Sequence, residues 1–103
     1  MLQYDVYIGY EPGPDVADAF TELGGYALGR GLRGFATFDM TSGWNAADGP
    51  HYGPIKMFRF FVAPSSSAPE SIRTFVKKAN DTFPPHNVGV IVTKVVDPWG
   101  AWS

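Results

Sequence analysis

The chain has 103 residues, a length that suits one domain with a single core and needs neither disulfides nor a metal to hold it. Its net charge of −2 speaks against a general nucleic-acid binder, and the absence of cysteine excludes disulfides, thiolate chemistry and cysteine zinc sites. Aromatic residues reach 16% beside only 17% charged residues, more rings than a small core easily encloses, so some are expected in a groove or a subunit interface.

Residues 2–8 alternate as a strand, with Tyr4, Val6 and Ile8 on one face and Gln3, Asp5 and Tyr7 on the other. Glu11-Pro12-Gly13-Pro14 is turn chemistry, and Pro14 suits a first helical position. Val16, Ala19, Phe20, Leu23 and Ala27 then fall on one helical face, with Asp15 and Asp18 where the helix dipole favours negative charge. Gly24-Gly25 weakens this helix by about 1 kcal/mol per glycine relative to alanine, so it is expected to fray or stop there. Residues 33–40 and 55–63 read as the second and third strands. Between them, residues 41–54 are polar and Gly-rich and hold Trp44, His51 and Tyr52. Hairpin loops usually take about 2–5 residues, so either the strands extend into a flap or the loop has a task of its own.

Ser67 and Glu70 have capping-box spacing at the start of a second helix, residues 68–83. Ile72, Phe75, Val76, Ala79 and Phe83 form its apolar stripe, Arg73, Lys77 and Lys78 lie outside it, and Pro84-Pro85 ends it. The outer face is ordinary, so this helix is expected to be structural only. Residues 88–96 are nearly all β-branched and read as a last strand, covered on at least one face and central in the sheet. A tail, residues 97–103, carries Trp99 and Trp102. No apolar run approaches ~18 residues and the start lacks the basic residues of a signal peptide, so the expected location is the cytoplasm.

The order strand–helix–strand–strand–helix–strand predicts a single ferredoxin-like α+β domain over residues 1–103. In this βαββαβ fold a four-stranded antiparallel sheet carries both helices on one face. The other face is left uncovered. Together with Trp99 and Trp102, candidate anchors for a subunit interface, it predicts a homo-oligomer.

Gly29-Arg30-Gly31-Leu32-Arg33-Gly34 is a literal G-x-G-x-x-G, but it follows a helix and opens a strand, the reverse of the dinucleotide fingerprint. What survives is a glycine-rich loop with two guanidinium groups suited to a phosphate or carboxylate. Arg30 and Arg33 are therefore candidate ligand-binding residues, with Trp44 or Tyr52 closing over the flat part of a ligand. Asp48-Gly49-Pro50-His51 and His86 are the remaining metal or acid–base pieces, with no second cluster of ligands beside either histidine, and Asp39 closes the second strand as a further candidate. No metal, no cofactor and no catalytic set is expected.

Val6-Tyr7-Ile8-Gly9 and Arg33-Gly34-Phe35-Ala36-Thr37-Phe38 resemble the two sheet motifs of the RNA-recognition motif, which would make Tyr7, Phe35 and Thr37 base-stacking positions. Thr37 replaces an aromatic, and the spacing leaves no room for a strand between the motifs. Gly34-Phe35-Ala36-Thr37-Phe38, Gly43-Trp44 and the apolar third strand resemble a diffuse group of small phage and bacterial proteins. That resemblance implies the same fold and a mobile-element origin, and brings no chemistry. The reading is a non-enzymatic binding module that captures a small anionic, nucleotide-like ligand or a host protein, for example to inhibit host defence. Two alternatives stand beside it: a small dimeric α+β-barrel enzyme, tested first at Trp44, His51 and Asp39, and single-stranded nucleic-acid binding through Tyr7 and Phe35. Membrane is not expected as a partner.

Overall fold

Alternation in the first residues and β-branched residues in the last place two strands side by side, and the hairpin between the helices completes the sheet. The computed structural model describes residues 2–29, 32, 34–62, 68–83 and 88–94. The elements are β1 (Leu2–Gly9), α1 (Val16–Gly29), β2 (Ala36–Ala46), β3 (Gly49–Val62), α2 (Ala68–Thr82) and β4 (Val88–Lys94). The sheet runs β2-β3-β1-β4 with every neighbouring pair antiparallel. This is an α+β arrangement of the ferredoxin-like type.

Register decides which residues share a face. Tyr4 lies opposite Phe60 and Val6 opposite Phe58, and these four are buried with Ile8 in one core. Phe20, Leu23 and Ala27 of α1 and Ile72, Phe75 and Ala79 of α2 close over them, so both helices cover the same face. Phe75 packs edge-on to Phe60 (centroids 4.9 Å apart) and tilted to Phe58 (5.2 Å). Phe20 stacks on Phe83, centroids 4.8 Å apart.

Two expectations are corrected and one open alternative is decided. First, α1 does not stop at Gly24-Gly25 but continues to Gly29. A Cβ on Gly24 would sit 2.7 Å from Cζ of Phe35, so the glycine is the site of a close ring–backbone approach, and the packing gained there outweighs its poor helix propensity. Second, β4 is an edge strand, not a central one. It pairs with β1 alone among the described residues, because the second crossover returns the chain to the outer side of β1 while the hairpin occupies the inner side. Of the two alternatives left open for the polar stretch, the structure takes the first, strands that extend into a flap. β2 and β3 stay paired from Ala36↔Arg59 to Ala46↔Gly49, leaving only Ala47 and Asp48 as the turn. Gly49 takes φ of +120°, a conformation that side-chain-bearing residues rarely adopt.

Candidate functional site

β1 ends at Gly9, opposite Ile55. Beyond that point β2 and β3 continue alone as a two-stranded arm. The arm is polar because it has no layer to pack on: every residue from Gly43 to Asp48 is exposed. Its base is tied to the body where the Tyr10 amide donates to the Pro54 carbonyl (3.3 Å). The Tyr10 ring is committed to the core, edge-on to Phe20 at 5.0 Å.

On the face away from the helices, Trp44 lies opposite His51 in the ladder, and the two rings stack with centroids 5.8 Å apart. His51 Nε2 donates to Asp48 Oδ1 over 2.6 Å. The far edge of the indole reaches over Gly53, where a Cβ would lie 3.4 Å from it. Ser42 Oγ donates to the Gly53 carbonyl (3.2 Å) and fixes the backbone beneath the ring. The result is an open groove of ≈ 430 Å³ lined by Gly9, Tyr10, Glu11, Ser42, Trp44, Gly53, Pro54 and Ile55. Glu11 is the single charged side chain in that lining. Trp44 remains 51% exposed, so its ring has surface to give to a ligand.

The open face continues from the groove over the body of the sheet. At its centre Arg59 makes a two-pronged contact with Asp5, Nε to Oδ1 at 2.9 Å and Nη2 to Oδ2 at 3.2 Å. Gln3 adds a donor to Asp5 Oδ2 at 3.0 Å. The hydrogen bond to Asp5 raises the Arg59 pKa above its ordinary value, while partial desolvation works the other way. The Phe38 ring lies 5.0 Å from the guanidinium.

Several sequence candidates are brought together and others are separated. Trp44 lies in the groove, as required of an aromatic wall. Tyr52 sits on the opposite face of the arm, against Gly43, where a Cβ would be 3.1 Å from its ring, so Trp44 and Tyr52 do not close over one ligand. Tyr7 is on the open face, opposite Met57. Phe35 is not on that face. Its ring packs on Phe58 and Phe60, centroids 5.2 and 5.9 Å away, on the helix side, and Thr37 pairs with Phe58 on that side too. The three RNA-recognition positions therefore do not form one platform. Asp39 bonds to Lys56 at 2.7 Å on the face opposite Trp44 and His51, so the three do not share one face of a single chain. Arg30, Arg33, Ser67, His86, Trp99 and Trp102 lie outside the described residues. Glu11 and Gly53 were missed, because nothing local marks a turn glutamate or a strand glycine as the rim and floor of a groove. Among the described residues no group of three or more His, Asp or Glu could hold a metal ion, and no helix is long and apolar enough to cross a membrane.

A βαββαβ domain with a two-stranded arm and a groove at its base defines the class. By sequence, no family model and no curated protein matches the chain. Solved structures do match in fold. A phage SAM lyase in complex with S-methyl-5′-thioadenosine superposes with a TM-score of 0.68 at 10% identity, over 90% of this chain and 80% of that one. B. subtilis GlnK in complex with ATP gives 0.63 at 12% identity, covering 91% and 83%. CutA from Synechococcus elongatus gives 0.61 at 10% identity, covering 91% and 75%. The chain thus shares the small α+β fold of CutA and GlnK.

Proposed function

We propose that this chain is a small-ligand-binding module, working as a homo-oligomer, that holds an adenine nucleoside in the groove at the base of the arm. The observation that carries the reading is Trp44: an exposed indole whose outer edge reaches over Gly53 beside a backbone rim at Gly9–Glu11. A glycine floor and an aromatic wall suit a planar heterocycle, and Ser42 and Glu11 are the polar groups that orient it. Two of the proteins similar in fold are named with an adenine compound bound, which supports the base.

Glu11 sets the charge of the ligand. A carboxylate accepts from ribose hydroxyls and repels phosphate. The groove as described therefore favours a nucleoside over a nucleoside triphosphate. The anionic version of the reading rests on Arg30 and Arg33, and its test is the ATP arm of the experiment below.

Calorimetric titration of the full chain with adenosine, S-methyl-5′-thioadenosine and ATP checks this. The uncharged nucleosides should bind more tightly than ATP. Trp44→Ala should lose roughly 1–3 kcal/mol of affinity, the worth of one base–aromatic stack. Absence of heat from all three ligands, or equal affinity in Trp44→Ala, removes the groove as the site. ATP binding most tightly, and weakening in Arg33→Ala, returns the site to the arginine loop.

A further inference from the structure

We propose that the groove at the base of the arm selects nucleosides that carry a positive charge, on the base or on the 5′ substituent, and that Glu11 makes the selection. The inference rests on the nucleoside reading of the groove and names the class of nucleoside it takes.

Charge around the groove is one-sided. Glu11 is the single charged side chain in the lining, and it is exposed. It enters no ion pair among the described residues. No Lys, Arg or His occurs between Met1 and Gly29, the stretch that supplies the rim. The cations of the sheet are committed elsewhere. Lys56 faces the helix side, bonded to Asp39 at 2.7 Å and 5.4 Å from the centre of the Phe20 ring. Arg59 is held by Asp5 through two hydrogen bonds, and that pair stands four register positions along β1 from Gly9, about 14 Å at the rise of a strand. Lys94 pairs with Leu2, at the end of β1 away from Gly9. Arg73, Lys77 and Lys78 belong to α2, on the other side of the sheet. His51, against the indole, is bonded to Asp48. In either protonation state of the imidazole, that pair carries no net positive charge.

A cation gains from both polar features of the groove. Trp44 stacks on His51 yet stays 51% exposed, and an indole attracts a cation more strongly than a phenyl or phenol ring does. The Glu11 carboxylate attracts the same charge, and it has no ion-pair partner among the described residues to give up. A neutral nucleoside stacks and hydrogen-bonds; a cationic one does the same and adds these two attractions. Phosphate gains neither and is repelled by the carboxylate. A ring-methylated, cationic purine and a sulfonium at the 5′ position share the chemistry the groove favours, so the test carries an arm for each.

Calorimetric titration of the full chain with two matched pairs checks the proposal: N1-methyladenosine against adenosine, and S-adenosylmethionine against S-adenosylhomocysteine. Within each pair the chief difference is one positive charge. At neutral pH and low salt, at least one cationic member should bind about fivefold or more tighter than its neutral counterpart, and the pair that shows this locates the charge. The preference should shrink as salt is raised, because Glu11 is exposed. Glu11→Gln keeps an acceptor oxygen and removes the charge, so it should bring the ratio close to one. Glu22→Gln removes an equal charge from an exposed position of α1 outside the lining and should leave the ratio as it is. Circular dichroism shows that each variant is folded. Neutral and cationic members binding equally, with both weakened in Trp44→Ala, overturns the charge selection while the nucleoside reading stands. A preference that survives Glu11→Gln, or that is indifferent to salt, overturns it as well. Absence of heat from every nucleoside removes the groove reading and the inference together.

Discussion

Gly24 and Gly25 are adjacent in α1 and are expected to respond oppositely to the same substitution. At Gly25 nothing lies within 4 Å of a built Cβ, so Gly25→Ala should stabilise by up to about 1 kcal/mol through helix propensity. At Gly24 the Cβ would meet Cζ of Phe35 at 2.7 Å, and that ring is backed by Phe58 and Phe60. It cannot retreat without opening the core, so Gly24→Ala should destabilise by about 1–2 kcal/mol, the cost of overpacking less the propensity gain. Urea unfolding of the two variants checks the pair of signs. A second residue-level expectation concerns Asp5. Asp5→Ala leaves Arg59 without its partner on a partly covered face. It should cost about 2–4 kcal/mol, somewhat below the cost for a fully buried pair, because Arg59 keeps some access to water. The double variant carrying Asp5→Val and Arg59→Met should recover most of that loss, which the same unfolding measurements would show.

At the scale of elements, α2 and the arm are opposites. α2 inserts Ile72, Phe75 and Ala79 into the core while Lys77 stays exposed. Phe75→Ala should therefore cost about 3–5 kcal/mol through the cavity it leaves, and Lys77→Ala should stay within about 0.5 kcal/mol. Chemical denaturation gives both values. A loss of nucleoside binding in a stable Lys77→Ala protein would mean that the outer groove of α2, lined by Tyr26, Glu70, Arg73 and Lys77 among others, is a working surface. The arm contributes no residue beyond Ser42 and before Gly53 to the core cluster. Its order comes from ladder pairing, the stack of Trp44 on His51 and the turn at Gly49.

For the whole molecule, this separation predicts that the arm can be removed while the body folds. Joining Ser42 to Gly53 through an Asn-Gly turn keeps the ladder closed by a two-residue connection suited to hairpin twist. The stability lost should be no more than about 1 kcal/mol, a shift in melting temperature of roughly 4–8 °C for a domain of this size. Nucleoside binding should vanish with the Trp44 wall. Differential scanning calorimetry and titration on the same preparation separate the two effects. A shortened chain that fails to fold would show that the arm carries stability the described packing does not reveal.

Much of this architecture is legible in local pattern. Period-two alternation in β1 placed Tyr4, Val6 and Ile8 inward, and the period of 3.6 in both helices picked out their buried stripes, because those patterns depend only on where each side chain leaves the backbone. The element order followed for the same reason. The site was far less legible. Phe35 reads as a sheet aromatic from its own neighbours, yet one position of register turns it to the helix side. The polar arm leaves flap and loop undecided in the sequence because a two-stranded ribbon with no layer to pack on needs no apolar alternation. Which strand becomes an edge, which glycine receives a ring, and that Trp44, Gly53, Ser42 and Glu11 meet around one groove all depend on residues far apart in the chain being brought into register. Local pattern fixes the elements and their buried faces, while pairing across strands settles which exposed residues stand together, since that juxtaposition leaves no trace in local periodicity.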